Sequence, residues 1–175
     1  MSEKELVVKA KAGDAKAFTE LYGLYKKKLY SYAFYRLGNA PDAEDAVSDC
    51  VLSAFEQINK LKKAEAFSSW IFRILYCCCT SAMKEQIRQR DTDNIDDYAN
   101  VFSVSYDQTN EQTELKQALK VLNDEEREIV LLSVVAGFKS KEIARISGLT
   151  AGSVRSKLSR SLAKLKNELV RGDAV

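Results

Sequence analysis

Histidine is absent from this 175-residue chain, proline occurs once and glycine seven times. Without histidine, a zinc site, a Ser-His-Asp triad and a Cys-His pair all lose their usual members. No phosphate-cradling glycine loop occurs either, so no catalytic residue, metal or cofactor is expected. The four cysteines are Cys50, Cys77, Cys78 and Cys79. Three in a row without a CxxC pair exclude a disulfide framework and read as buried thiols acting as small apolar residues. No apolar run approaches the length of a membrane span, and MSEKELVVKAKAGD carries charges where a leader would need an apolar core. The expectation is a cytoplasmic protein with no direct membrane insertion. Acids are missing from Ile143 to Asn167, although the chain has 25 of them.

What is present is helical. Alternating strand patterns do not occur and apolar residues recur at helical spacing, so the reading is all-α. The composition, 46% hydrophobic and 30% charged, fits a folded chain. The net charge of +2 hides an uneven distribution. Residues 1–90 sum to +4, 91–114 to −7, 115–136 to −1 and 137–175 to +6. Two basic regions flanking an acidic stretch suggest partners that carry phosphates.

The spacing predicts a helix over 2–12 and a second from Asp14, its cap, to about Leu37. That helix sets Phe18, Leu21, Tyr22, Tyr25, Leu29 and Tyr32 on one side. GNAP (38–41) ends it and starts a third helix to about Ile58. At ~100° per residue, Ala43, Val47, Cys50, Val51, Ala54 and Ile58 share one face. Asp42, Asp45, Asp49 and Glu56 line the other. After the basic loop KLKKAE (60–65), FSSW opens a long helix to about Arg90. Trp70 and Ile74 fall at helical spacing, which assigns Trp70 to the core. DTDNIDDYANVFSVSYDQTNEQ (91–112) is acidic, lacks periodicity and reads as a linker between two small helical domains, 1–90 and 113–175.

Periodicity returns at Leu115, Leu119 and Leu122, and Asn123 with Glu126 forms a capping-box pattern for a helix through Val135. A turn at Gly137, a short helix over 140–147, a turn at Gly148 and a last helix over 151–169, capped by Thr150, follow. On that last helix Val154, Leu158, Leu162, Leu165 and Leu169 form the expected buried seam. Ser153, Ser156 and Arg160 project opposite, flanked by Arg155, Lys157 and Ser159. A short helix, a glycine turn and a second helix with small, hydroxylated and basic residues is the helix-turn-helix pattern. The second helix enters the DNA major groove by its N-terminal part, Arg pairing with guanine and Lys neutralising phosphate.

KEIARISGLTAGSVRSKLSRSLAKLK (141–166) resembles the C-terminal DNA-binding region of bacterial RNA polymerase sigma factors of the extracytoplasmic function (group 4) class. Glu142, Ile143, Ala144, Gly148, Gly152, Val154, Arg155, Ser156, Leu158 and Arg160 match the family pattern, with Ser153 for Thr and Lys157 for Arg. LNDEEREIVLLSVVAGFKSKEIA is similar to the approach to that motif. Residues 18–58 resemble the family's core-binding segment, and FSSWIFRILYCCCTSAMK (67–84) its segment that melts and reads the −10 element. The ordered resemblance covers about 150 of the 175 residues.

The resemblance implies a protein without catalytic residues of its own that carries RNA polymerase core to promoter DNA and is held by an anti-sigma factor. It implies that Asp42, Asp45, Asp49 and Glu56 face the polymerase core, its β′ and β subunits. Lys60, Lys62, Lys63, Arg73 and Lys84 would meet the melted −10 strand, with Phe72, Tyr76 and, beside its core reading, Trp70 as stacking surface. Ser153, Arg155, Ser156, Lys157 and Arg160 would read the −35 element. The chain departs from the family at Cys77, where Asn is common, and at Ser81, where Asp is common. A thiol is a poor hydrogen-bonding group, so those two roles are not carried over. The alternatives are a helix-turn-helix repressor or activator dimerising through 1–90, and a non-transcribing interaction protein of the same fold.

Overall fold

The computed structural model describes residues 1–92 and 110–173, which form eight α-helices and no strand. The linker reading falls largely on 93–109, outside the described residues. The helices are α1 (Glu3–Lys11), α2 (Ala15–Leu37), α3 (Ala40–Gln57), α4 (Phe67–Thr92), α5 (Asn110–Leu119), α6 (Asp124–Val134), α7 (Ser140–Ser147) and α8 (Ala151–Asp173). The basic loop between α3 and α4 tightens into two short 3₁₀ turns, 58–60 and 64–66.

Local chemistry sets most boundaries. Asp14 Oδ1 accepts from the Lys16 and Ala17 amides, so α2 starts there. Gly38 ends α2 at φ 86°, where a Cβ would be strained. Asn39 caps α3 through the Asp42 amide, with Pro41 in the first turn. Asn123 and Glu126 form a reciprocal capping box at α6.

In the N-terminal half, α1 lies on α2, while α2, α3 and α4 pack against one another. Leu21, Leu29, Tyr32, Cys50, Phe67, Ile71, Phe72 and Leu75 are fully buried there. Each such large apolar side chain contributes about 1.5–3 kcal/mol relative to exposure. Residues 64–92 are long and apolar enough to cross a membrane by length and composition, contrary to the expectation from sequence. The apolar side of α4 is instead used in the core, through Phe67, Ile71, Phe72, Leu75 and Cys79.

The cysteines divide. Cys50 and Cys79 are buried and Cys78 is half-buried, but Cys77 is exposed, so the expected burial fails for one of the four. Burial pushes the Cys79 thiol up to about 12 and the Cys50 thiol upward as well. Cys50 Sγ donates to the Ile71 carbonyl at 3.6 Å.

In the C-terminal half, α8 packs against α5, α6 and α7. The two halves also meet, α2 on α6 and α4 on α7, and share one continuous buried cluster. That contact is an addition to the sequence reading, which gave two bodies joined by a linker.

Candidate nucleic-acid interface

The helix-turn-helix geometry is built by α7, α8 and the turn between them. Gly148 sits at φ 80° and donates its amide to the Ala144 carbonyl, closing α7. The next helix starts where Thr150 Oγ1 accepts from the Ser153 amide at 3.2 Å. Ile143, Ile146 and Val154 are buried and fix the angle between the two helices.

The seam of α8 differs from the expectation. Val154 and Leu165 are buried and Leu158 is half-buried, but Leu162 is 40% and Leu169 43% exposed. Ser161 is fully buried instead. At ~100° per residue, Val154, Leu158, Ser161 and Leu165 share the inward side, and positions 162 and 169 drift to its edge. Ser161 Oγ donates to the Lys157 carbonyl at 2.6 Å, which removes the penalty of a buried hydroxyl.

On the outward side Arg155, Ser156 and Arg160 are exposed and Ser153 is half-buried at the helix start. Lys157 differs: its ammonium pairs with Glu125 at the start of α6, so it braces α8 against α6 as well as flanking the basic face. Lys164 does the same with Glu126 at 2.7 Å. The remaining face is small, hydroxylated, cationic and open, and α8 positions it on a rigid element.

On α3, Asp45, Asp49 and Glu56 are exposed, but Asp42 is half-buried. Its Oδ2 accepts from Asn39 Nδ2 at 2.8 Å and from Gln86 Nε2 at 2.6 Å. Gln86 also donates to the Leu37 carbonyl at 3.1 Å. Asp42 therefore ties α3 to α4 at the α2–α3 corner, while its three companions face solvent.

A second cationic surface surrounds the start of α4. Lys62, Lys63, Leu61, Ala66, Ser69, Trp70 and Arg73 line a groove of about 380 Å³. Lys60 is exposed just before it. Trp70 is half-buried, 5.9 Å from the Phe67 ring, so it is both packed and available at the groove wall. Lys84 is exposed on α4 and lies on the Arg73 side by helical spacing. Phe72 is fully buried and stacks edge-on against Tyr32 and Phe138, so it offers no surface to a strand. Tyr76 lies under Arg36 and Arg73, whose guanidinium carbons are 4.8 and 5.5 Å from its ring centroid.

Sequence reasoning missed Arg36 and Glu128. Arg36 is buried and donates to Tyr32 Oη at 3.1 Å, the Tyr76 carbonyl at 3.1 Å and Thr80 Oγ1 at 3.0 Å. Glu128 of α6 faces it at 3.6 Å. Burial pushes the Glu128 carboxyl up to about 7, against the pull of Arg36. A signal existed: Arg36 is the only charge between Lys28 and Asp42. A lone cation amid aromatics is a candidate for a buried contact.

Two family models match the chain: Sigma-70 region 2 over residues 21–92 and Sigma-70, region 4 over 112–165. Together they cover more than half of it, in the order in which the two surfaces occur. The chain belongs to the extracytoplasmic function (ECF) class of sigma factors. Sigma factors are regulators of transcription initiation, and this one is similar over most of its length to others of the class. It is 28% identical to the ECF RNA polymerase sigma factor SigM of Mycobacterium tuberculosis, over 94% of this chain and 83% of that protein. It is 24% identical to the ECF RNA polymerase sigma factor SigW of Bacillus subtilis, over 97% of each. Among solved structures, CnrH in complex with the cytosolic domain of CnrY matches with a TM-score of 0.74 at 22% identity over 97% of each chain, a likeness of fold. The sigma factor RpoE in complex with the anti-sigma factor NepR from Bartonella quintana matches with a TM-score of 0.69 at 26% identity, over 89% of this chain and 98% of that one.

Proposed function

We propose that this ECF sigma factor brings RNA polymerase core enzyme to a defined set of promoters and has no catalytic residue of its own. Residues 1–90 dock on the core and meet the −10 strand, 91–112 connect, and 113–175 read the −35 duplex. The observation that carries this reading is the open face of α8. Arg155, Ser156 and Arg160 stand exposed just past a capped glycine turn, on a helix start without an acid. Such a face suits close approach to a duplex, with Arg on base edges and phosphates.

Asp45, Asp49 and Glu56 form the acidic side of α3 for a basic helical surface of the β′ or β subunit, and charge complementarity steers that encounter. Asp42 supports the surface by fixing the corner behind it. Lys60, Lys62, Lys63, Arg73 and Lys84 track the single strand, with Trp70 as the stacking wall. Lys157 contributes a cation at the flank of the duplex-reading face. An anti-sigma factor is the regulatory partner, supported by the RpoE–NepR complex of a relative. The protein acts in the cytoplasm, where polymerase and promoters are.

Run-off transcription with purified core enzyme and a promoter library tests the reading. Transcripts that depend on both the protein and a shared upstream sequence are expected. Tight sequence-specific binding of duplex DNA by the protein alone, with no transcript, would replace it with a helix-turn-helix repressor or activator.

A further inference from the structure

A cleft where the end of α2 meets α4, α5 and α6 has no part in the surfaces assigned above to polymerase or promoter. It holds about 310 Å³, the lower end of the range for small-molecule pockets. Its cations come from three elements: Arg90 of α4, Lys116 of α5 and Lys120 of the turn after α5. Its apolar lining includes Tyr35 of α2 and Met83 and Ile87 of α4, with Ile87 left 51% exposed.

Local structure holds these cations in place. Lys116 passes over the end of α2: a Cβ on Gly38 would lie 4.0 Å from its Cε, and its ammonium is 5.8 Å from the Phe34 ring centroid. Arg127 of α6 donates to the Leu119 and Leu122 carbonyls at 3.2 and 3.0 Å, which fixes the turn carrying Lys120. Arg127 also pairs at 3.2 Å with Asp124, the one acid of the lining among the described residues.

Two observations point to a ligand that carries negative charge. Burial and the neighbouring Lys120 charge hold the Lys116 ammonium below its usual value, so an anion beside it is favoured. Arg36 also belongs to the lining and is only 6% exposed. Its Nε is the one buried side-chain nitrogen or oxygen among the described residues without a hydrogen-bond partner. Such a donor needs an acceptor, and an anion oxygen in the cleft, or a water that it holds, supplies one.

We propose that this cleft binds a nucleoside polyphosphate, its phosphates on Arg90, Lys116 and Lys120 and its base against Tyr35 and Ile87. Phosphate oxygens pair with ammonium and guanidinium groups through charge-assisted hydrogen bonds. An inorganic phosphate chain shares that interaction but leaves the apolar side of the cleft unused.

Isothermal titration calorimetry on the full chain, without magnesium, tests this with ATP, GTP and inorganic tripolyphosphate. Lys120→Glu reverses an exposed charge of the cleft, and Lys116→Ala truncates the half-buried one. A Lys27→Ala, Lys28→Ala double variant removes two exposed cations of α2 elsewhere. Circular dichroism melts check the fold of each, and Lys120 can be replaced without touching the core. One nucleotide per chain is expected, with ATP or GTP bound at least about fivefold more tightly than tripolyphosphate, the size of a modest base-stacking contact. Lys120→Glu and Lys116→Ala are each expected to weaken the nucleotide at least about tenfold, the loss of one hydrogen bond to a charged group. The double variant should bind as wild type does. The proposal is overturned by no binding, by undiminished binding to Lys120→Glu, by equal weakening in the double variant, or by tripolyphosphate binding as tightly as the nucleotides. None of these outcomes touches the promoter reading, which run-off transcription decides separately.

Discussion

Helices α4 and α8 both carry exposed cations, Arg73 and Lys84 on one and Arg155 and Arg160 on the other, and they are built in opposite ways. The inner face of α4 carries Phe67, Ile71, Phe72, Leu75 and Cys79, all buried. The inner face of α8 is thin: Val154 and Leu165 are buried, Leu158 is half-buried, and Ser161 takes an apolar place. The outer face of α8 is open; beside the start of α4, Arg145 and Ile146 of α7 flank the groove, while Arg73, Cys77 and Lys84 stay exposed. Cations stand exposed on both helices; the depth of core beneath them is what differs.

The sharpest way to break this comparison is to remove core from each helix. Ile71→Ala is expected to destabilise the protein by about 2–5 kcal/mol, the range for deleting a buried branched side chain. Leu165→Ala, at the thin seam, should fall toward the low end of that range. Urea denaturation curves decide, and equal losses would erase the difference in anchoring.

Arg160→Ala comes next. It is expected to cost about 1–3 kcal/mol in recognition of the upstream element, the range for one good base contact. Binding of core enzyme in a pull-down should stay intact. Equal loss of polymerase binding would mean that the face of α8 is not a separate reader.

The smallest expected effect is of pH on the contact between the two halves, which is closed in this structure through Glu128 and Arg36. Glu128 is pushed up to about 7 when closed, whereas an opened, hydrated carboxyl titrates near 4.3. The closed form therefore binds the extra proton between those values. Closure is at its strongest below the lower value, weakens as pH rises through the window, and carries the full desolvation penalty above about 7. The groups facing Glu128 are Arg36 and Tyr32 of α2, Arg73 and Tyr76 of α4, and Glu125 on its own helix. Scattering at pH 5.5 and 8 should show the more compact form at the lower pH. The reverse order would show that another group governs the contact.

What the sequence told about these elements depended on range. Asp14, Asn123, Gly148 and Thr150 were legible because caps and turns are set within four residues. The basic, acid-free side of α8 was legible from composition and spacing. Leu162 and Leu169 were misplaced because a run of leucines at spacings of 3 and 4 drifts around a helix, and only packing decides where the inward stripe is centred. The pairing of Lys157 with Glu125, and of Arg36 with Glu128, joins residues 32 and 92 positions apart, and no local pattern announces such partners. Exposed Cys77 two residues before buried Cys79 shows the same limit: positions two apart on a helix point about 200° apart, so identical residues meet different surroundings.

Gln86 reaches from α4 to both the Leu37 carbonyl and Asp42. One amide thereby splices the helix bearing Arg73 to the corner from which Asp45 and Asp49 rise. The bearing of the acidic ridge relative to the groove at the start of α4 is thus set at a joint rather than by either surface. Were a partner to dock on the ridge as proposed, that joint would aim the groove, much as the stock of a tool sets the angle of its blade.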